Sequence, residues 1–283
     1  MMKELELVLV CENAASEAGI LGEVGLSWLI RFQNKSLLFD TGQGMTLEHN
    51  CEKLGIDLST VEAVVLSHGH YDHVGGLGDF MKQNRRCPIC AHPASLSPKY
   101  GLLPSGNGKL LSVPLLCQKK ERTNWEKRLR LIEEPTEVIP GIFVTGTIPR
   151  VTPFEDWDST LFADKKLLKP DPFHDDMALY FEIDKGICVI LGCAHAGVIN
   201  TLHYIETLTS KPIVRVYGGM HLVNARPERV TKTIRELRRM GSPVLYPNHC
   251  TGMASTHHLY QAFPGNVHAA SAGMRWTFRR KAI

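Results

Sequence analysis

The order of apolar and polar positions splits the chain into a β-rich opening, a long irregular middle and a closing stretch where strands alternate with helices. Residues 5–10 read Leu-Glu-Leu-Val-Leu-Val, a strand pattern, and run into a small-residue, polar, Gly-rich segment over 12–25. Two apolar runs, 26–32 and 36–39, flank Gln33-Asn34-Lys35 and predict a hairpin. Positions 46–54 carry a helical spacing closed by Gly55. Positions 63–66 form a short apolar run around Val64 and Val65, as expected of a buried strand. That run stops abruptly in a polar cluster, Ser67-His68-Gly69-His70-Tyr71-Asp72-His73.

From about 85 to 173 the pattern loses its period. This stretch holds many of the prolines and a basic run over 119–130. It predicts a long insertion, and loops of this length commonly cover a substrate. Regularity then returns. Residues 177–183 and 187–191 are strands around Asp184-Lys185-Gly186, 198–208 is a helix, and 213–217 is a β-branched strand. Residues 226–240 form the clearest helix, with Pro227 at its start, Val230, Ile234 and Leu237 on one face, and Gly241 and Pro243 stopping it. A last strand at 244–246 leads into Asn248-His249-Cys250-Thr251-Gly252. Hairpins first and strand–helix alternation later indicate a layered α/β domain.

Composition narrows the class. With 283 residues, 43% hydrophobic and 22% charged, the chain can bury a sizeable core. The formal net charge of +3 argues against a nucleic-acid partner. Its eight Cys are irregularly spaced, which argues against a disulfide framework. Cys87-Pro88-Ile89-Cys90 is a lone C-x-x-C without a second pair. The amino terminus is interrupted by acidic residues and reads as a strand rather than a secretory signal. The apolar run around 186–200 falls short of the ~20 residues of a membrane span. The sequence therefore predicts a soluble, cytoplasmic protein with reduced thiols, no membrane partner and no bar to a homo-oligomer.

Thirteen His change the picture, because imidazole is the commonest metal ligand. In His68-x-His70-x-Asp72-His73, four ligand types fall within six positions directly after a buried strand. Burying them without partners would cost several kcal/mol. The spacing lets His68 and His70 reach one metal and Asp72 and His73 a second ~3.5–4 Å away.

This segment resembles the signature loop of the metallo-β-lactamase-fold hydrolases, and Leu38-Phe39-Asp40-Thr41-Gly42 is similar to that family's first motif. The resemblance implies a four-layer αββα sandwich over 1–283, a metal site at one edge, and Asp40 behind it orienting a ligand His. Within the superfamily the chain is most similar to the group called dihydropterin-ribofuranosyl-aminobenzene-phosphate synthases. The matching segments are Gly146 to Arg150, Asp175-Asp176, Gly192-Cys193-Ala194-His195-Ala196-Gly197, Gly218 to Leu222, and His249 to Gly252. Two departures stand out: the third-motif His is missing, and Cys193 stands where the superfamily has a metal-bridging Asp. His195, two residues on, is the expected replacement ligand. Cys193 is either a thiolate ligand or a buried apolar-like residue. His249 suits the terminal ligand and His221 a proton donor or substrate contact, though these two roles are interchangeable at this level. His174, Asp175 and Asp176 are fallback ligands.

The function implied is a hydrolase with Zn2+, or Fe or Mn in its place, as one or two ions. Metal-bound hydroxide would attack a small phosphorylated or cyclic-ester metabolite, with Asp72 and His221 as catalytic groups. The alternative is a transferase or condensing enzyme of pterin-type cofactor synthesis, using the same metals as Lewis acids. The expected partner is a small anionic molecule recognised by Arg150, whose planar fork suits phosphate or carboxylate. Trp125 and Trp157 are candidate walls of the pocket.

Overall fold

In the first strand, Leu5, Leu7 and Leu9 point into one apolar cluster while Val8 and Val10 point into another. Side chains alternate across a strand, so a near-continuous apolar run marks a sheet covered on both faces. The computed structural model, which describes residues 2–155 and 158–281, shows two such sheets. One has seven strands in the order Arg275–Lys281, Met2–Cys11, Ser27–Phe32, Lys35–Phe39, Ala63–Val65, Ile89–Ala91, Leu129–Leu131. The other has six, in the order Val244–Asn248, Ile213–Gly219, Gly186–Leu191, Ala178–Ile183, Ile142–Val144, Thr136–Ile139.

Three cores hold four layers together. Trp28, Phe39 and Val65 of the first sheet meet Leu179, Phe181, Ile190 and Tyr217 of the second. Outside the first sheet, Leu47 and Cys51 of helix Leu47–Leu54 and Leu77 and Phe80 of helix Leu77–Gln83 pack on Val8, Leu38 and Val64. Outside the second, helix Val198–Thr209 packs on Val189 and Leu191 through Val198, Leu202 and Ile205. Leu237 of helix Pro227–Arg239 and Leu259 of helix Met253–Ala262 complete that face. The αββα sandwich expected from the sequence is the observed fold. No helix among the described residues is long and apolar enough to cross a membrane.

Local chemistry explains the boundaries. Gly55 ends helix Leu47–Leu54 in the left-handed region at φ 66°. The first hairpin turns on two residues, Gln33 and Asn34, both at positive φ, rather than on the three expected. That conformation at both turn positions matches the twist of the paired strands.

The middle of the chain departs from expectation. The stretch 85–173 is not one insertion, because Ile89–Ala91, Leu129–Leu131, Thr136–Ile139 and Ile142–Val144 are strands of the main sheets. Short strands of three or four residues are weakly periodic, so the sequence hides them. What stands apart is a small sheet of Leu161–Phe162, Tyr100–Leu102 and Gly108–Leu110. Trp125 is buried in the core outside the first sheet, and Trp157 lies outside the described residues.

Each sheet contains parallel neighbours: Lys35–Phe39, Ala63–Val65 and Ile89–Ala91 in one, Gly186–Leu191, Ile213–Gly219 and Val244–Asn248 in the other. Their carboxyl ends carry Asp40, the His68–His73 loop, Cys193, His221 and His249. Ligand sites gather at such strand ends.

A buried carboxylate shapes the first of these ends. Glu23 accepts hydrogen bonds from the backbone N–H of Gln43 at 2.8 Å, Met45 at 2.8 Å and Thr46 at 3.0 Å. Gly42, at φ 67°, lies so close that a Cβ there would come within 2.2 Å of Glu23 Oε1. Glu23→Ala strands three N–H groups and should destabilise the protein by roughly 3 kcal/mol or more in urea unfolding. A loss below about 1 kcal/mol would mean that water replaces the carboxylate.

Candidate metal centre

Asp40 leaves its strand at φ 62°, with its N–H bonded to Val65 O at 2.9 Å. Its side chain is fully buried. Oδ1 accepts from Ser67 N at 2.7 Å, and Oδ2 accepts from Ser67 Oγ at 2.6 Å and from His73 Nδ1 at 2.7 Å. The carboxylate thus lies behind the loop and fixes one of its imidazoles. Holding Nδ1 leaves His73 Nε2 to face inward, as a metal ligand requires.

The expected ligands converge. His68, His70 and His195 bring donor atoms within 4.8 Å of one another, and so do Asp72, His73 and His249. His68 Nε2 and His70 Nδ1 are 3.1 Å apart, and so are His73 Nε2 and His249 Nε2. His249 Nε2 lies 3.4 Å from Asp72 Oδ2. Donors ~2.0–2.1 Å from a shared tetrahedral ion stand about 3.3 Å from each other, so both groups have a spacing that suits a cation. Cys193 Sγ sits between them, 3.2 Å from His73 Nε2, and also groups with His68.

The electrostatics fit the same account. Both ring nitrogens of His195 and Nε2 of His70 are buried without a hydrogen-bond partner. Orphaned polar atoms inside a protein are costly, and a cation would satisfy one nitrogen of each ring. Burial and neighbouring imidazoles hold His68 and His195 well below the usual histidine range, and burial takes His70 down to about 4. All three are neutral lone-pair donors. His73 goes the other way: burial opposes its charge, but Asp40 and Asp72 raise it to about 9.

His249 and His221 lie on the rim with different partners. His249 Nδ1 meets Asn13 Oδ1 at 3.0 Å, and its N–H donates to Glu12 Oε1 at 2.8 Å. His221 Nε2 meets Asp158 Oδ2 at 2.9 Å, and its ring is 4.2 Å from that of His195. Burial opposes the His221 charge, and the Asp158 hydrogen bond overrides it, raising the group to about 9. Both residues have positive φ, 47° at His221 and 48° at His249. Strain of this kind in non-glycine residues gathers at functional sites.

The remaining candidates act through the protein. Asp175 accepts from Gly69 N at 2.9 Å and pairs with Lys99 at 2.8 Å, and Asp176 accepts from Ala196 N at 2.8 Å. They hold the ligand loops and belong to none of the donor groups found among the described residues. Arg150 donates to His195 O at 2.6 Å and to Glu155 O at 3.1 Å. Its fork grips backbone carbonyls instead of facing the cavity beside His221, contrary to the expected substrate contact. Phe173 stacks on His195 at 4.2 Å and 9°. Glu12, Asn13, Lys99, Asp158 and Cys250 were not expected at the site. Of these only Cys250 carried a signal, as the neighbour of His249.

Comparison with known proteins agrees with this geometry. The profile of the metallo-beta-lactamase superfamily matches residues 21–249. The chain is 29% identical over 269 residues, 88% of each protein, to the 7,8-dihydropterin-6-methyl-4-(beta-D-ribofuranosyl)-aminobenzene-5'-phosphate synthase of Methanocaldococcus jannaschii. It is 34% identical over 243 residues to an uncharacterized protein of the same organism, covering 84% of this chain and 87% of that one. Among solved structures it is similar to a metal-dependent hydrolase of the beta-lactamase superfamily, with a TM-score of 0.79 and 26% identity, covering 96% of this chain and 98% of the other.

Two expected outcomes test the site. Asp40→Asn should keep the fold but weaken metal binding by about 10–100-fold, read as metal retained after dialysis; full metal content would reduce Asp40 to a turn residue. The second concerns pH. Burial raises Asp176 to about 7. Its carboxyl in the unfolded chain titrates near ~3.9, so between about pH 4 and 7 the fold holds a proton that the unfolded chain has lost, and stability falls as pH rises. Asp176→Asn should therefore stabilise the metal-free protein more at pH 8 than at pH 5, by on the order of 1–2 kcal/mol in denaturant unfolding. An equal effect at both pH values would show an ordinary Asp176 carboxylate.

Proposed function

Because the chain belongs to the metallo-β-lactamase superfamily, we propose that it is a metal-dependent hydrolase of a small anionic metabolite bearing a phosphate or a cyclic ester. The observation that carries this reading is the meeting of His68, His70 and His195 with Asp72, His73 and His249 in one cleft lined by orphaned ring nitrogens. Its similarity to a metal-dependent hydrolase over nearly the whole chain supports it. Nitrogen, oxygen and sulfur donors together suit zinc, with iron or manganese as alternatives. Divalent ions held there would lower the pKa of a water toward ~7 and offset charge developing on an attacked phosphorus or carbonyl centre.

The chain's own residues supply the rest. Asp72 faces His249 and His73, so it fixes the second donor group and accepts hydrogen bonds at the reacting face. His221, kept charged by Asp158, offers a proton at the rim, where a leaving oxygen needs one. Beside His221 opens a cavity of about 570 Å³ whose lining holds Arg226, Arg229 and Lys232 against Asp158 and Glu228, the last paired with Lys232 at 2.7 Å. These cations suit an anionic substrate and take the role expected of Arg150. Eight unpaired cysteines fit a cytoplasmic protein, and we expect neither nucleic acid nor membrane as a partner. Self-association is open to test by solution mass.

A condensing role in pterin-type cofactor synthesis is favoured by one observation, the 29% identity to the Methanocaldococcus synthase over 88% of both chains. A panel of phosphodiesters, phosphomonoesters, lactones and β-lactams, run beside a mixture of a dihydropterin carrying a leaving group on its 6-methyl and a ribofuranosyl-aminobenzene 5'-phosphate, separates the readings. We expect turnover of a phosphoester or lactone, lost on chelation, restored by zinc, and reduced at least ~100-fold in His195→Ala. Formation of a dihydropterin–aminobenzene product with no hydrolysis across the panel would replace the hydrolase reading by the condensing one.

A further inference from the structure

We propose that Cys193, Cys250 and His221 form a further cation position, on the open side of the histidine cluster, that takes a thiophilic divalent ion such as Zn2+ or Cd2+. The proposal stands whichever reaction the cluster runs, but an ion on His221 Nδ1 leaves that ring without a proton to give, so His221 acts as the proton donor only while this position is empty. Donor atoms of the three residues lie within 4.8 Å of one another. Cys193 alone also groups with His68 and His73, so it is the sulfur that would bridge to the neighbouring position.

His221 is built as a ligand. Its Nε2 is held by Asp158 Oδ2 at 2.9 Å, while Nδ1 is buried with the Cys250 thiol beside it. The same division of labour recurs nearby. His73 gives Nδ1 to Asp40 and turns Nε2 inward, and His249 gives Nδ1 to Asn13 and turns Nε2 inward. A carboxylate or amide oxygen on one ring nitrogen fixes the tautomer that leaves the other free to bind a metal. Three rim and floor imidazoles thus share one arrangement, but among the described residues the His221 donor groups only with sulfur.

The backbone makes room for that sulfur. Cys250 Sγ lies 3.3 Å from His221 N and 3.5 Å from Cys193 O. A Cβ at Gly219 would stand 2.5 Å from Cys250 Sγ and 2.6 Å from Gly192 O, so no other residue admits the thiol at this strand end. Two sulfurs and one imidazole make a soft donor set, which selects zinc or cadmium over magnesium, calcium or manganese. The nitrogen group of His68, His70 and His195 also favours transition metals, but without sulfur it does not single out zinc or cadmium among them.

The test uses the full-length, metal-free protein titrated with Co2+, with bound cobalt counted and the thiolate-to-cobalt charge-transfer absorption recorded. The wild type should bind three equivalents and show the band. Cys250→Ser should bind two and lose about half of the band, since one of two sulfurs is removed. His221→Gln, which leaves both sulfurs in place, should lose the same equivalent, and this second variant guards against a folding defect at Cys250. Circular dichroism checks that both variants fold. Equal stoichiometry and an unchanged band in wild type and Cys250→Ser would overturn the proposal, as would a wild type without any charge-transfer band. The stoichiometry and the band report on this position alone; His221→Gln also removes the proton donor assigned above, so hydrolysis is read from Cys250→Ser, which keeps His221, and from His195→Ala.

Discussion

A carboxylate cut off from water, Asp40, is the constraint around which the site is arranged. An unpaired charge in a dry interior costs several kcal/mol, so both carboxylate oxygens there have to find donors. Ser67 supplies two and His73 the third. Those bonds tie the end of Lys35–Phe39 to the loop that follows Ala63–Val65. The second sheet closes over the same group: a Cβ at Gly192 would come within 2.3 Å of Ser67 Oγ and 3.5 Å of Asp40 Oδ2. Only a residue without a side chain lets the strand Gly186–Leu191 end there. The two sheets therefore meet at Asp40, and the His68–His73 loop has one position available to it.

Charge is unevenly divided across the cleft. His68, His70 and His195 are desolvated, stay neutral and expose lone pairs with no proton to lose. His73 and His221 each face a carboxylate that keeps them protonated in the metal-free chain. A cation on the first group displaces nothing, whereas a cation on the Asp72, His73 and His249 group must release the His73 proton. The first group is therefore filled with little pH dependence near neutrality, and the second with more. This asymmetry arises from carboxylates facing the rings: Asp40 and the ligand Asp72 at His73, and Asp158 at His221.

Much of the fold was legible in the sequence because its signals are local. Alternating and continuous apolar runs marked the long strands, Pro227 and Gly55 marked helix ends, and the spacing of His68, His70, Asp72 and His73 marked the ligand loop. The short strands at Ile89–Ala91 and Ile142–Val144 were not legible, since three residues carry no period. Glu12, Asn13, Lys99 and Asp158 were missed for another reason. Their partners His249, Asp175 and His221 lie 236 or 237, 76 and 63 positions away in the chain, a pairing that only the folded topology creates. Arg150 was legible as a cation beside the site but not as a clamp on backbone carbonyls.

The departure from the superfamily's usual ligand order has a structural basis in the 192–197 loop. Cys193 and His195 are two positions apart, a spacing that would keep their side chains on one side only in an extended chain. Ala194 between them is bent to φ 55°, so the chain turns at once and both side chains face the cluster. Such a turn has little strength of its own, and the neighbouring residues supply it. Asp176 accepts from Ala196 N, Arg150 donates to His195 O, and Phe173 lies flat on the His195 ring. Two of these three residues come from the irregular middle of the chain. One task of that region is thus to brace the loop that brings a sulfur and an imidazole together at the cluster. The brace also explains why a neutral, fully desolvated His195 can be held with both nitrogens unpaired: its position is set from outside the ring, by backbone and stacking contacts, and its donors remain open to the cleft.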